Sequence, residues 1–168
     1  MDAIVLVGLP GVGKSTVGRA LGERLGMPFV DLDDEIAAFT GLTPGDFIRT
    51  RGEDAFRACE VECLTRCLAH DGVIATGGGV VTSAGARELL RDHRVIWLTM
   101  DTGALVSRVR GGDRPLLGDD PATSLATLAE ARSALYAEVA DASVNANAPL
   151  DVVVRDIIDV MEKWVACE

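Results

Sequence analysis

The chain has 168 residues, a length that predicts a single domain, residues 1–168, whose core needs no disulfide or metal to hold it. Its 26 acidic and 16 basic residues give a formal charge of −10, which argues against nucleic acids and anionic membranes as partners. No apolar run approaches the ~20 residues of a membrane-spanning helix, and the first residues lack the features of a signal peptide, so we expect a cytoplasmic protein.

Short apolar runs alternate with stretches of helical periodicity along the chain. The apolar runs predict strands at 3–7, 29–31, 73–75 and 95–98, and a short last strand near Val144. The periodic stretches predict helices at 13–25, 33–40, 44–50, 53–68, 83–91, 102–109, 125–139 and 152–166. This alternation predicts a three-layer α/β fold, in which a five-stranded parallel sheet is flanked by helices.

Residues 110–122 interrupt the pattern. They show no periodicity and contain several residues that break helices and strands, namely Gly111, Gly112, Pro115, Gly118 and Pro121. A loop of this length in a compact domain is typical of a functional segment, so we expect a mobile lid here.

Three of the four cysteines share one helical face. Cys59, Cys63 and Cys67 recur every fourth residue within the helix predicted at 53–68. Neighbours along one straight helix are poorly placed for a disulfide. We expect these thiols and that of Cys167 to be reduced, as in a reducing compartment.

The residues from Gly8 to Ser15 match the phosphate-loop pattern G-x-x-x-x-G-K-[ST] between a predicted strand and a predicted helix. Glycines let the backbone turn and direct several N–H groups toward one anion. Lys14 can reach the β- and γ-phosphates of a nucleotide, and the Ser15 hydroxyl can ligate Mg²⁺. The candidate nucleotide-binding residues here are Gly11, Val12, Gly13, Lys14, Ser15 and Thr16. The motif predicts a P-loop NTPase fold that binds a nucleoside triphosphate.

Several classes of nucleotide-binding protein use this loop, and the rest of the sequence excludes some of them. Neither the D-x-x-G of a GTPase switch nor the guanine motif N-K-x-D occurs. The third strand runs into Gly77, Gly78 and Gly79 instead of the acidic residues that a mechanical ATPase needs. A kinase for a small molecule or a nucleotide remains.

Five further sequence pieces accompany the phosphate loop in order: Asp31-Leu32-Asp33, Phe56-Arg57, Gly77-Gly78-Gly79, Arg114-Pro115-Leu116-Leu117, and Arg132 in Ala131–Tyr136. With this set the chain resembles the shikimate kinase family over nearly its whole length. The resemblance implies transfer of a phosphoryl group from ATP, with Mg²⁺, to the 3-hydroxyl of shikimate. It also implies a shikimate-binding helical segment at about 33–61. We expect a monomer.

The resemblance implies roles for the acceptor-side residues. Asp31 helps to hold Mg²⁺, and Asp33 binds the acceptor hydroxyl, where it can orient the oxygen and accept its proton. Arg57, Arg132 and the glycine triplet bind the shikimate carboxylate, for which a guanidinium fork is well suited. Arg132 also falls on the apolar face of its helix, where it needs an anionic partner. By position alone, Asp33 could equally stabilise a helix start, and either arginine could form a structural ion pair.

On the nucleotide side, Lys14 and Arg114 are expected to neutralise the transferring phosphoryl group, with Arg114 brought in by the lid. Arg110 is the first candidate to pack on adenine, with Asn147 and its neighbours as the other wall; Arg108 is the alternative to Arg110. Two other functions stay open at this point. One is a kinase of the same fold with a different small acceptor, and the other is a regulatory nucleotide-binding module.

Overall fold

The computed structural model describes residues 3–110 and 120–166, and within them it forms a five-stranded sheet. The strands are β1 (Ile4–Val7), β2 (Phe29–Asp31), β3 (Val73–Ala75), β4 (Arg94–Thr99) and β5 (Ala142–Asn145). Their order is β2-β3-β1-β4-β5, and every pair is parallel. The predicted five-stranded parallel sheet is therefore confirmed.

Eight α-helices connect the strands in the described ranges. They are α1 (Lys14–Leu25), α2 (Leu32–Thr40), α3 (Pro44–Arg51), α4 (Glu53–Leu68), α5 (Ala84–Leu90), α6 (Thr102–Arg110), α7 (Pro121–Val139) and α8 (Leu150–Ala166). The sequence pattern missed one short 3₁₀ turn at Val80–Thr82, which leads from the glycine triplet toward α5.

The buried central strand β1 explains the three layers. Because successive side chains of a strand point to opposite faces, Ile4 and Leu6 pack into one apolar cluster while Val5 and Val7 pack into the other. The first cluster contains residues of α1, α6 and α8, and the second contains residues of α2, α3, α4 and α5. Helix α7 contributes to both, through Leu125 and Tyr136 respectively.

The predicted loop at 110–122 is shorter at both ends in the structure. Arg110 is the last residue of α6, and Pro121 and Ala122 begin α7. The Asp120 carboxylate caps α7 by accepting from the Thr123 amide at 3.3 Å, and proline is well suited to the first helical turn because it has no N–H to satisfy. Residues 111–119, with Arg114, lie outside the described residues, so the lid stays a prediction.

The thiols on α4 are free, as predicted. Cys63 is buried, and Cys59 and Cys67 are half-buried. Burial raises the pKa of Cys63 to about 12, so this thiol is unreactive near neutral pH. Cys167 lies outside the described residues. Among the described helices, none combines the length and apolar character that crossing a membrane requires.

Candidate active site

The candidate residues converge at the carboxyl ends of three neighbouring strands. The phosphate loop follows β1, Asp31 ends β2, and the glycine triplet follows β3. In a parallel sheet these ends share one edge, which is where ligands bind in α/β proteins. The sheet order therefore brings together segments that are 20 to 70 residues apart in sequence.

The phosphate loop has the backbone shape that its glycines allow. Gly8, Gly11 and Gly13 have φ values of 150°, 84° and 106°, which side chains rarely permit. Lys14 is 8% exposed, and its Nζ donates to the carbonyl oxygens of Gly8 at 2.7 Å and Leu9 at 2.9 Å. The loop thus holds its ammonium group in place at the head of α1, where the helix N-terminus also favours an anion.

Ser15 and Asp31 meet beside the phosphate loop. The Ser15 hydroxyl donates to one carboxylate oxygen of Asp31, and the other accepts from the backbone N–H of Asp33 at 3.0 Å. Asp31 is thus the N-cap of α2 while also facing Ser15. A hydroxyl and a carboxylate are hard oxygen ligands, and Mg²⁺ is typically held by one or two such groups with water and substrate phosphates. These residues fit a magnesium ion.

Asp33 lies in the first turn of α2, where its charge can also stabilise the helix start, as its alternative role predicted, while Asp31 is the N-cap. Burial raises the pKa of the Asp33 carboxyl, and the Asp31 charge adds to that effect, whereas the Lys14 charge opposes it. A carboxylate with a raised pKa beside a phosphate loop is a suitable proton acceptor for a hydroxyl.

Arg57 is held against the glycine triplet by a buried carboxylate. Its Nη1 lies 2.7 Å from Oε2 of Glu60, whose side chain is 1% exposed. A Cβ added to Gly79 would lie 2.7 Å from the guanidinium carbon of Arg57. Burial raises the pKa of Glu60, and the Arg57 charge opposes that rise. The structural ion pair predicted as the alternative for Arg57 is present, and it also aims the guanidinium at the triplet.

Arg132 differs from Arg57 in having no carboxylate partner in the described ranges. It is half-buried on α7, one helical turn before Tyr136, and its charge opposes the rise that burial causes in the pKa of the Tyr136 hydroxyl. Tyr136 in turn donates to the carbonyl oxygen of Gly78. Arg132 and Arg57 therefore approach the triplet by different routes, and both influence the carboxyl of Glu60.

The triplet is a backbone segment that polar side chains and the phosphate loop surround closely. None of its three glycines has a positive φ, so backbone conformation does not require them. A Cβ would instead meet a neighbour within 3.2 Å at each: the Asp33 and Glu60 carboxylates at Gly77, the Pro10 ring at Gly78 and the Arg57 guanidinium at Gly79. The missing side chains let acidic, basic and phosphate-loop groups surround one backbone segment.

A cavity of about 320 Å³ opens on the other side of the phosphate loop. It is lined by Gly11, Gly13, Thr16, Val17, Arg108, Val109, Ala146, Ala148, Leu150 and Val153. Arg108 donates from Nη1 to the Val12 carbonyl oxygen at 3.0 Å. Arg110 and Asn147 are exposed and are not among the lining residues, although Ala146 and Ala148 on either side of Asn147 are.

Sequence reasoning brought most of this site together but missed two contacts. It did not find the contact between Tyr136 and Gly78, although Tyr136 follows Arg132 by one helical turn on a buried stripe. It also did not find that Pro10 packs against Gly78. The spacing of Tyr136 indicates only that it lies beside Arg132, and both contacts with Gly78 need the fold.

A phosphate loop, an adjoining carboxylate and a pocket with two arginines define a P-loop kinase that acts on a small acidic alcohol. The shikimate kinase family model matches residues 10–162, so the chain belongs to the shikimate kinase family. It is an ATP-dependent shikimate kinase, as the sequence predicted.

Individual relatives agree with the family match. The shikimate kinase of Streptomyces avermitilis is 46% identical over 143 residues, covering 84% of each chain. That of Mycobacterium avium is 42% identical over 167 residues, covering 97% of this chain and 95% of its own.

Solved structures agree with the fold. Shikimate kinase from Acinetobacter baumannii in complex with shikimate has a TM-score of 0.91 at 35% identity, covering 97% of this chain and 94% of its own. A gluconokinase from Sinorhizobium meliloti, with a TM-score of 0.55 and 22% identity, shares the fold alone.

Proposed function

We propose that this chain binds shikimate between α2, α4, α7 and the glycine triplet. It phosphorylates the 3-hydroxyl of shikimate while the Asp33 carboxylate lies beside that hydroxyl. The observation that carries the proposal is that Asp33 borders Gly77, Arg57 borders Gly79, and Tyr136, one helical turn after Arg132, binds Gly78, at the sheet edge that bears the phosphate loop. The solved relative in complex with shikimate supports an acceptor of this chemistry.

In the proposed pocket, the shikimate carboxylate is bound by the guanidinium groups of Arg57 and Arg132 and by backbone N–H groups of the triplet. Two cations at one carboxylate are favourable because charge-assisted hydrogen bonds are roughly twice as strong as neutral ones. The Glu60 ion pair fixes the direction of Arg57, so binding costs little side-chain ordering.

The proposed chemistry places the acceptor oxygen beside Asp33. The carboxylate orients the hydroxyl and accepts its proton as the oxygen attacks the γ-phosphorus of ATP and ADP leaves. Lys14 neutralises charge on the β- and γ-phosphates. Arg114, in the proposed lid between α6 and α7, is expected to do the same for the transferring group.

Mg²⁺ would be held by Ser15 and, through water, by Asp31; when bound it neutralises phosphate charge. The adenine is proposed to lie in the 320 Å³ cavity, where Arg108 lies on the wall and Arg110 does not. Of the two arginines left open by the sequence, we therefore assign Arg108 to adenine. The backbone on either side of Asn147 forms the opposite wall.

We further propose that the chain works as a monomer in the cytoplasm. Free thiols at Cys59, Cys63 and Cys67 support a reducing compartment. The large apolar side chains most exposed in the described ranges are Phe39 on α2 and Leu150 and Val165 at opposite ends of α8. Light scattering at enzyme concentrations used in assays tests the monomer directly.

The decisive test measures ADP release from ATP and Mg²⁺ with shikimate, quinate, gluconate or no acceptor. Shikimate-dependent release is expected. Replacing Arg57 by alanine should raise the KM for shikimate by about 10- to 100-fold and leave the KM for ATP near that of the wild type. Arg91→Ala is the matched control, because Arg91 pairs with Glu88 and Glu138 on the surface. Equal effects of both variants on shikimate would refute the assigned pocket.

A further inference from the structure

Tyr136 is the one tyrosine of the chain, and its hydroxyl lies between the two parts of the acid pocket. The side chain is 0% exposed, and its ring packs beside Trp97 with 5.7 Å between ring centroids. The hydroxyl donates to the carbonyl oxygen of Gly78, and Arg132 lies one helical turn before Tyr136 on α7, near enough for its charge to oppose the rise in the pKa of the phenol. A buried phenol needs a polar partner, but it does not need these two.

The chemistry of the three groups fixes the direction in which they can hydrogen-bond. A carbonyl oxygen can only accept and a guanidinium can only donate. Tyr136 gives its one proton to Gly78, which leaves the lone pairs of its oxygen available to the neighbouring Arg132 guanidinium. Burial raises the pKa of the Tyr136 hydroxyl, so that proton stays in place across the working pH range.

The other side of Gly78 is closed by the phosphate loop. A Cβ added to Gly78 would lie 2.7 Å from Cδ and 3.1 Å from the backbone nitrogen of Pro10. Gly78 is thus held between Pro10 and the Tyr136 hydroxyl, and its neighbouring N–H groups keep one direction. Arg132, which has no ion pair in the described part of the chain, has the Tyr136 oxygen as a neighbour one helical turn away.

We propose that Tyr136 is a positioning residue that uses one hydroxyl to align both Arg132 and the Gly78 backbone for the shikimate carboxylate. This inference rests on the proposed function, in which both groups bind that carboxylate. The hydroxyl does not touch the substrate in this scheme. It sets the geometry of two groups that do, and small displacements of such groups are costly to binding.

The test is Tyr136→Phe, which keeps the ring against Trp97 and removes only the oxygen. We expect the shikimate Kd, measured by calorimetry, and the shikimate KM to rise about 5- to 20-fold, with the KM for ATP unchanged. Trp97→Phe is the matched control for packing, because it perturbs the same ring contact without touching the hydroxyl. It should lower Tm and leave shikimate binding at the wild-type level.

Arg132→Ala separates this inference from the proposed function. If Arg132→Ala weakens shikimate binding and Tyr136→Phe does not, the positioning role is overturned and the pocket stands. If Arg132→Ala itself leaves binding unchanged, the assigned pocket fails. In the double variant, removal of the hydroxyl should weaken binding less than it does alone, because one of its two targets is gone. The rise in Tm on adding shikimate is a second measure of binding, and it reports only on protein that is folded.

Discussion

Replacing Gly79 by alanine would place a methyl group where the Arg57 guanidinium lies. The added Cβ would be 2.7 Å from the guanidinium carbon and 2.8 Å from Nη1. Carbon atoms in contact prefer about 3.5–4.0 Å, so the guanidinium must retreat by roughly 1 Å. The backbone is not strained by the change, because Gly79 has a φ of −95° that alanine also adopts.

The cost of this retreat should appear in substrate binding more than in folding. The Arg57 side chain can shift by about 1 Å and stay within ion-pair distance of Glu60, so we expect unfolding to become easier by only about 1 kcal/mol. A cation moved by about 1 Å loses the alignment of charge-assisted hydrogen bonds, each worth about 1.5–3 kcal/mol. These energies correspond to a rise of about 10- to 100-fold in the KM for shikimate.

Steady-state ADP release at saturating ATP measures this KM, and thermal unfolding measures the effect on stability. Gly85→Ala is the matched control: it lies on α5, its added Cβ meets nothing closer than 3.7 Å, and helix propensity predicts a small gain in stability. A Gly79→Ala enzyme with the KM for shikimate of the wild type would refute the placement of the carboxylate at Arg57.

Four other variants test the remaining parts of the site. Asp33→Asn should lower kcat about 10²- to 10⁴-fold and leave ATP binding unchanged. Because the Asp33 pKa is raised in the folded state, wild-type stability falls as pH rises through that pKa, so this variant should also have the higher Tm near neutral pH. Loss of both effects would remove Asp33 from the mechanism. The same raised pKa predicts that wild-type kcat/KM falls on the acid side at a higher pH than a free carboxyl would give. Ser15→Ala should raise the Mg²⁺ concentration for half-maximal rate roughly 10- to 100-fold, while shikimate binding without nucleotide is unchanged. Arg108→Ala should raise the KM for ATP about tenfold and Arg110→Ala should not; the reverse result would move adenine to Arg110.

The parts of the site that depend on local sequence could be predicted. The phosphate loop needs only a strand, its glycines and a helix start, all within residues 4–25. Arg57 and Glu60 are one helical turn apart on α4, so their spacing alone suggests contact. Local patterns also located the strands of the described residues, although β5, Ala-Ser-Val-Asn, is not an apolar run and could be placed only near its buried Val144.

The parts that depend on how distant elements meet could not be predicted. The contact of Tyr136 with Gly78 joins residues 58 apart, and that of Arg108 with Val12 joins residues 96 apart. Each contact depends on how a helix is rotated about its axis against the sheet. Sequence periodicity shows only which broad face of the helix is buried. This is why the sequence left Arg108 and Arg110 both open, although they are only two positions apart on α6.

The glycine triplet was a correct sign of the candidate active site, although the physical reason for its glycines differs from the one that the sequence suggests. A run of three glycines suggests backbone freedom, yet each of these residues is needed for space, and each borders a different group. Alanine at Gly77 would press on Asp33 at 3.2 Å and should lower kcat, whereas alanine at Gly79 should raise the KM for shikimate through Arg57. Alanine at Gly78 would meet the rigid Pro10 ring and should lower Tm and impair ATP and shikimate binding together. Three alanine variants with the same kinetic defect would contradict this division, because backbone stiffness alone would then explain the triplet.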